Sequence, residues 1–308
     1  MIKSLDDIIK TARKNGSKTI AVAVAQDLDV LKAVQNAAGL GIANFILVGN
    51  EVDIRQLAEK NNISIEQFSI LDRPDNTEAC RTAVQLVSSG KAQILMKGFV
   101  DTAVILKAVL DKEIGLRTDS VLSHVAVAEI DGYERLFYIT DAAMNIEPDL
   151  KTKKHIIENS LQVANAMGNA MPKVACVCAV EKANEKMQAT LDAVELVKMN
   201  QSGLLKGCIV AGPLALDNAV SLEAAKHKGI TDPAAGMADI LLMPFIEAGN
   251  MLYKAVVFFA RGKVAGIVVG AKAPIVLTSR ADSDTAKLHS MAIGALMASN
   301  YEETKYAK

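Results

Sequence analysis

Continuous apolar segments alternate with amphipathic segments along the first third of the chain. The apolar stretches KTIAVAVA, ANFILVG, FSIL and AQILMKG are each followed by a segment with apolar residues at helical spacing. Short apolar runs rich in β-branched residues are typical of strands buried on both faces, and the intervening segments have the period of helices. The alternation from Lys18 to Gly115 therefore predicts a parallel β-sheet covered by helices.

The pattern changes after residue 120. The segments SHVAVAEI and RLFYIT flank the turn DGYE, which predicts a β-hairpin with Asp131 and Gly132 at its tip. A long helical segment and further strands, KVACVCAV, GCIVAGPL, ADILLMP, VAGIVVG and PIVLT, follow, and a final helix starts near Ser283. This order predicts two α/β lobes with mostly parallel sheets, with the cleft between them as the expected ligand site.

Composition narrows the class of ligand. The chain has 308 residues, 51% of them hydrophobic, which is enough core material for two domains. Lys and Arg total 34 against 35 Asp and Glu, so we expect neither a nucleic acid nor a membrane as partner. The chain has no Trp and only 4% aromatic residues, which argues against a base-stacking surface. With no signal-like or membrane-spanning segment, the sequence predicts a cytoplasmic protein acting on small molecules.

Four scattered cysteines, Cys80, Cys176, Cys178 and Cys208, do not form a disulfide framework. Cys176 and Cys178 lie two apart on one predicted strand and so face the same side. We expect buried core thiols, with a metal site as the weaker alternative. The sequence also has no G-x-x-x-x-G-K-[ST], no G-x-G-x-x-G after a strand and no H-x-x-x-H. We therefore expect neither a metal nor a redox cofactor.

Polar residues that follow predicted strands are the candidates for chemistry, because ligands bind beyond the carboxyl ends of parallel strands. After AQILM come Lys97, Gly98 and Thr102, with Lys107 on the helix that follows. Lysine supplies positive charge, and glycine allows a close approach of the backbone to an anion. An ordinary capped strand-to-helix loop is an equal alternative at this position.

Further candidates follow other strands. Ser123 and His124 open the predicted hairpin, although a nucleophilic serine has no assignable third partner. Asp141 follows RLFYIT, the pair Gly212 and Pro213 ends GCIVA, and Asn250 lies beyond ADILLM. Each of these sets is also compatible with turn or capping chemistry. Their recurrence at nearly every strand end favours a binding role.

The stretch TSRADSD after the last strand is the densest polar segment. It places Ser279, Arg280, Asp282 and Asp284 on one short strand-to-helix connection. The alternative is structural: Ser283 or Asp282 caps the last helix, and Arg280 forms a surface ion pair worth about 0–1 kcal/mol.

Several long segments resemble the phosphate acetyl/butyryltransferase family, most closely its phosphate butyryltransferase branch. They are MKGFVDTAVILKAVL, ITDAAMNIEPDL, GPLALDNAVSLEAAKHKGI, ADILLMPFIEAGNMLYKAV and APIVLTSRADS. The resemblance implies the two-lobed α/β fold of isocitrate and isopropylmalate dehydrogenases. It implies one lobe from residues 1–124 plus 277–308 and a second from residues 125–276, usually in a homodimer or higher homo-oligomer.

The resemblance also implies an activity. An acyl-CoA and inorganic phosphate would give an acyl phosphate and CoA by direct transfer in a ternary complex, with CoA as substrate and no permanently bound cofactor. Arg280 would bind phosphate, Ser279 would stabilise charge near the thioester, and a carboxylate would manage the proton. The acetyl branch has its catalytic Asp at the position of Ala286, so Asp282 or Asp284 is the expected substitute.

A second departure concerns positive charge. Tyr253 and Lys254 match a Tyr-Lys pair of the acetyl branch, which makes Lys254 a candidate, but an Arg of that branch is replaced by Phe258. Lys97, Lys107 or Arg117 would supply the missing charge. We expect a butyryl or branched acyl group. The alternatives are an acetyltransferase of broad range, an oxidoreductase of the same fold, and a non-catalytic protein that binds CoA or acyl phosphate.

Overall fold

A computed structural model describes the backbone of residues 2–278 and 283–306. The chain divides into two compact units. The terminal unit comprises Leu5–Ser120 and Ala265–Lys308, and the central unit comprises Val121–Val264 with the first four residues. The sequence placed the lobe boundaries at residues 124 and 277, and that division stays a prediction.

The strands in the described ranges are β1 (Lys18–Ala23), β2 (Ala43–Gly49), β3 (Ser69–Asp72), β4 (Ile94–Lys97), β5 (Ser123–Glu129), β6 (Phe137–Thr140), β7 (Lys173–Val177), β8 (Ile209–Leu214), β9 (Ile240–Leu242), β10 (Lys263–Val269) and β11 (Ile275–Val276). The helices in the same ranges are α1 (Leu5–Lys14), α2 (Leu28–Gly39), α3 (Glu51–Lys60), α4 (Asn76–Ser88), α5 (Thr102–Val109), α6 (Leu150–Ala166), α7 (Gln188–Gln201), α8 (Leu216–Val220), α9 (Leu222–His227), α10 (Ile246–Phe258) and α11 (Asp284–Tyr306).

The terminal unit has a doubly wound sheet with the strand order β3-β2-β1-β4-β11-β10. All neighbours pair in parallel except β10, which is antiparallel to β11. Helices α1, α2 and α11 pack together, and α4 packs with α5. The sheet is buried through its centre, where Ile20, Leu47 and Leu95 have no exposed surface.

The central unit has its strands in the order β5-β6-β9-β7-β8. Strands β5 and β6 form the predicted antiparallel hairpin, with Val125 opposite Thr140. The pairs β6·β9, β7·β9 and β7·β8 are parallel. Helix α6 packs on β5, β6 and β9 and against α7, whereas α8 packs on β7 and α10 packs on β6.

The apolar pattern explains the core of the central unit. The face covered by α8–α10 buries a cluster that includes Phe137, Ile139, Leu241 and Val256. The opposite face of the sheet buries Ile156 of α6 and Cys176 of β7. The expected α/β class with mostly parallel strands is therefore confirmed, and the four cysteines are buried and free as predicted.

Candidate active site

The carboxyl ends of β1, β4 and β11 lie side by side in the terminal unit. The strand order reverses at β1, because β2 and β3 follow on one side of β1 and the chain then returns to add β4 on the other side. Such a topological switch point opens a crevice beyond the strand ends, which is where open α/β sheets bind ligands.

Two strand ends cross closely at this point. The amide of Gly98 donates to the carbonyl of Ala23 (2.8 Å), and that of Phe99 donates to the carbonyl of Val24 (2.9 Å). A Cβ atom on Gly98 would lie 2.1 Å from the Val24 oxygen, so only glycine fits. Val24 itself has φ +58°, which is strained for a β-branched residue. The predicted close backbone approach at Gly98 is thus made to the protein's own main chain.

Lys97 is buried at the end of β4. Its Nζ donates to the carbonyl oxygens of Gly98 (3.3 Å) and Val100 (3.1 Å). The ammonium therefore holds the loop that leads to α5 and brings positive charge to the strand end. Thr102 begins α5 at the same edge and is partly exposed, while Phe99 is 49% exposed beside it.

Lys107 lies near the C-terminal end of α5, in a groove of about 290 Å³ between α4 and α5. Arg81 on α4 lines the same groove, and its Nη1 lies 2.7 Å from Oδ2 of Asp111. The amides of Glu113 and Ile114 donate to the Asp111 carboxylate, and with Arg81 they lower its pKa to about 2. Two cations against one carboxylate give this groove a net positive charge.

The predicted catalytic stretch begins at Thr278, two residues beyond the end of β11. Thr278 is buried, whereas Ser279, Arg280 and Asp282 lie outside the described residues. Ser283 accepts from the amide of Ala286 (3.2 Å), so the capping role considered for it is confirmed. Asp284 is in the first turn of α11, where its carboxylate accepts from the amide of Thr285 (2.8 Å).

In the central unit, Ser123 and His124 begin β5. Ser123 is fully buried, and its Oγ accepts from Nδ2 of Asn159 (2.9 Å). The ring of His124 packs edge-on against Tyr253, with the ring centroids 6.4 Å apart. The structure therefore gives Ser123 a contact inside the core and places His124 beside the Tyr-Lys segment of α10.

Asp141 organises the loop after β6. Its carboxylate accepts from the amides of Ala143 (2.8 Å), Met144 (3.0 Å) and Asn145 (3.2 Å). The side chain of Asn250 on α10 donates to the carbonyl of Ala142 in the same loop (3.3 Å). Asp141 and Asn250 thus both support the backbone of one loop.

The remaining candidates lie on β8 and α10. Gly212 has φ +152°, and a Cβ atom there would lie 2.8 Å from the Cβ of Cys176, so close packing of β8 on β7 requires glycine. Pro213 follows through a cis peptide bond and is buried. Lys254 is exposed on α10.

A cavity of the central unit was not predicted. It measures about 830 Å³ and is lined by the first turns of α6 and α7 and by Pro244 and Phe245, which precede α10. Lys153 and Asp192 form a buried ion pair in its wall (2.5 Å), each side chain being 7% exposed. Nε2 of Gln188 donates to the second Asp192 oxygen (2.8 Å).

A sequence signal for this pair existed. Lys153 is in helical phase with the buried Ile156 and Ile157, and Asp192 is in phase with the buried Leu196. Charged residues on the apolar stripe of two helices indicate a buried pair more readily than a solvated face. The partners are 39 positions apart, so the pairing itself is not visible in sequence.

The geometry defines a class of protein: an α/β protein of mostly parallel strands with polar side chains at the carboxyl ends of the strands. A family model described as phosphate acetyl/butaryl transferase matches residues 4–81 and 73–295. The chain belongs to this family and is an acyltransferase.

Individual proteins are similar over almost the whole chain. The phosphate butyryltransferase of Clostridium acetobutylicum is 51% identical over 300 residues, which cover 97% of this chain and 100% of that protein.

A branched-chain phosphotransacylase structure from Enterococcus faecalis V583 is 36% identical, with a TM-score of 0.82 and coverage of 91% of this chain and 99% of that one. A 4-hydroxythreonine-4-phosphate dehydrogenase structure from Klebsiella pneumoniae shares the fold alone, at 14% identity, a TM-score of 0.57 and coverage of 92% and 100%. The expected likeness to the dehydrogenase fold is confirmed.

Proposed function

We propose that the protein transfers a short-chain acyl group, butyryl or branched, from CoA to inorganic phosphate. The observation that carries this proposal is the 51% identity to a phosphate butyryltransferase along the full length of that protein. The likeness to a branched-chain phosphotransacylase supports the choice of a short chain over a long one.

The transfer needs no nucleophile from the protein. A phosphate oxygen attacks the carbonyl carbon of the thioester and forms a C–O bond with it. The C–S bond then breaks and releases CoA as the thiolate. The proton of hydrogen phosphate passes to that thiolate, so the products are acyl phosphate and CoA thiol. Positioning and electrostatic stabilisation then supply the acceleration.

Arg280 binds phosphate through two parallel hydrogen bonds, and Ser279 donates to the developing negative charge at the thioester. Support comes from the match of this segment to the phosphate acetyl/butaryl transferase family model, which covers residues 73–295. The carboxylate of Asp282 or Asp284 carries the proton between phosphate and thiolate. Lys97 shapes the neighbouring loop, and the groove cations Arg81 and Lys107 favour an anionic ligand.

The test follows thiol release from butyryl-CoA by the purified protein, with and without inorganic phosphate. Phosphate-dependent release supports the proposal. If phosphate stimulates release from no acyl-CoA of two to five carbons, the proposal fails. Preference for acetyl-CoA over butyryl-CoA would favour the acetyltransferase alternative, and CoA binding without turnover would favour the binding protein.

The residue roles have a separate test. Ser279→Ala and Arg280→Ala should each lower kcat/KM at least about tenfold, roughly 1.4 kcal/mol of transition-state stabilisation. Arg55→Ala is the matched control, since Arg55 forms a surface ion pair with Glu51 on α3 (2.7 Å). Near-normal rates in both variants would return this stretch to a capping role. A comparison of the rates of the Asp282→Asn and Asp284→Asn variants identifies which carboxylate carries the proton.

We also propose that the protein works as a homodimer or higher homo-oligomer. Met251 and Phe258 lie seven positions apart on one face of α10 and are 69% and 73% exposed. Large side chains so exposed on one helix face are typical of surfaces that bind another protein. Light scattering on the wild type and on Phe258→Glu tests this, and a monomeric mass for the wild type refutes it.

A further inference from the structure

We propose that the cavity of the central unit binds a zwitterion with an apolar body, of the class of hydrophobic amino acids and dipeptides. The cavity measures about 830 Å³ and lies where helices α6, α7 and α10 begin. Its lining combines hydrogen-bond donors, carboxylates and apolar side chains. A ligand with one anionic group, one cationic group and an apolar body matches all three. The inference goes beyond the proposed function and does not depend on it.

The first turn of α7 supplies donors for the anionic group. Its N-cap residue, Met187, makes no side-chain hydrogen bond to the helix. The amides of Gln188 and Ala189 donate to no described residue, and both residues line the cavity. Amides at the N-terminus of a helix that lack a side-chain cap bind carboxylates and other anions.

A buried ammonium group adds to these donors. Lys153 lines the cavity with its side chain only 7% exposed, and its Nζ bonds to Oδ2 of Asp192 on α7. An ammonium has three N–H groups, and the other two of Lys153 donate to no described residue. Asp192 lies about one turn beyond Gln188, so this ammonium is close to the first turn of α7. Buried donors without an acceptor cost free energy, which a ligand carboxylate would recover.

The carboxylates of the lining provide a place for the cationic group. Asp149 caps α6 by accepting from the amide of Thr152 (2.7 Å). Glu195 pairs with Lys198 on its own helix (2.7 Å). Glu147 is exposed and forms no hydrogen bond or ion pair with a described residue, so its carboxylate is available to a ligand ammonium. With four carboxylates and two ammonium groups, the lining attracts a cationic group and repels a ligand with several negative charges.

Apolar side chains form much of the remaining lining. Leu150, Met187 and Pro244 line the cavity, and Phe245 lines it with 45% of its surface exposed. A partly open aromatic ring offers apolar surface against which an aliphatic side chain packs. The volume falls in the range of roughly 300–1,000 Å³ found for small-molecule sites. A dipeptide fills such a space more completely than a single amino acid does, so both are compared in the test.

Calorimetric titration with four probes tests the inference. The two zwitterions are L-leucine and L-leucyl-L-leucine, and the two analogues of leucine are isocaproate, which lacks the ammonium, and isoamylamine, which lacks the carboxylate. We expect the zwitterions to bind and each analogue to bind about tenfold more weakly than leucine or worse, because it loses one set of charge-assisted hydrogen bonds. The tighter of the two zwitterions identifies the ligand as an amino acid or a dipeptide.

Variants assign the two charges. The double variant Lys153→Met with Asp192→Leu removes the buried ammonium without leaving an unpaired buried carboxylate, so it should fold. It should weaken leucine binding about tenfold or more and leave isoamylamine binding unchanged. Glu147→Gln should weaken leucine binding about threefold and leave isocaproate binding unchanged. Glu59→Gln is the matched control, because Glu59 is exposed on α3 and lies outside the lining. Melting temperatures show that each variant is folded.

Other outcomes overturn the inference. Isocaproate binding as tight as that of leucine would make the cavity a simple anion site, and isoamylamine binding as tight would reduce it to an acidic surface. The absence of heat with both zwitterions at millimolar concentration would show that the cavity does not bind this class. Displacement of a bound zwitterion by CoA would assign the cavity to the substrate. The titrations need no turnover, so selective binding of a zwitterion by a protein that is inactive in the thiol-release assay would uphold the inference while the proposed function fails.

Discussion

Replacing Gly98 by alanine perturbs a close backbone crossing of the terminal unit. The added Cβ would lie 2.1 Å from the Val24 oxygen and 2.7 Å from the Ala23 oxygen, both main-chain atoms that cannot rotate away. Real Cβ atoms keep at least 3.0 Å from such atoms, so the backbone at residue 98 or at Val24 would have to move by about 1 Å. Overpacking of this kind costs about 1–3 kcal/mol, and each kcal/mol lowers Tm by about 2–4 °C in a unit of this size.

The shift also reaches the site. The hydrogen bonds from Gly98 and Phe99 to the end of β1 hold the loop that precedes α5. A displacement of about 1 Å in a positioned group can lower the rate about 100-fold. Gly98→Ala should therefore lose activity in the thiol-release assay by far more than its loss of Tm explains.

The matched control is Gly39→Ala. Gly39 ends α2, and a Cβ atom there meets nothing within 4 Å, so this variant should be neutral or slightly more stable. A Gly98→Ala protein that melts within 1 °C of wild type and keeps at least half of its activity would refute the steric reasoning.

Three other predictions follow from the described contacts. Lys153→Met should cost about 3–5 kcal/mol in urea unfolding because Asp192 is left buried without its partner, whereas the double variant with Asp192→Leu should recover most of that loss; additive losses would contradict a coupled pair. A thiol reagent should find no fast-reacting cysteine at pH 8 in the native protein and four after unfolding, because burial raises the pKa of Cys80, Cys178 and Cys208 to about 11; a fast native thiol would contradict this burial. The pKa of Asp111 is lowered from its ordinary 3.8 to about 2. The contribution of its carboxylate to the free energy of unfolding is therefore full above pH 3.8 and is lost as the pH falls toward 2. Denaturation midpoints of wild type and Asp111→Asn should therefore converge over that interval, and a constant difference would refute the assignment.

Local pattern was sufficient to predict most elements. The strand ANFILVG coincides with β2, and the turn at Asp131 and Gly132 joins β5 to β6 as predicted. Apolar periodicity and turn residues act over a few positions, so the sequence displays them directly. The place of β9 between β6 and β7 depends on pairing between distant segments, which a local pattern cannot show.

The positions of the candidate residues at strand ends were predictable, and their contacts were not. Residues after strands do lie at the carboxyl edge, as Lys97 and Asp141 show. Their partners are main-chain atoms of their own loops, which depend on the folded path of the backbone. Whether a lysine or a carboxylate faces substrate or supports a loop is decided by contacts of this kind, and residue type alone does not distinguish the two roles.

The division of the chain has a consequence for synthesis on the ribosome. The central unit is almost one continuous segment, whereas the sheet of the terminal unit takes β11 from the last 44 residues, Ala265–Lys308. Until that segment emerges, β4 is left without the strand that pairs with it on one side. Domains fold as units during synthesis. The central unit can therefore fold first, whereas the terminal unit, whose first segment is made earlier, can complete its sheet only after its second segment is made. One edge of β4 therefore stays unpaired until β11 has been made, and an open strand edge can pair with the edge of another chain.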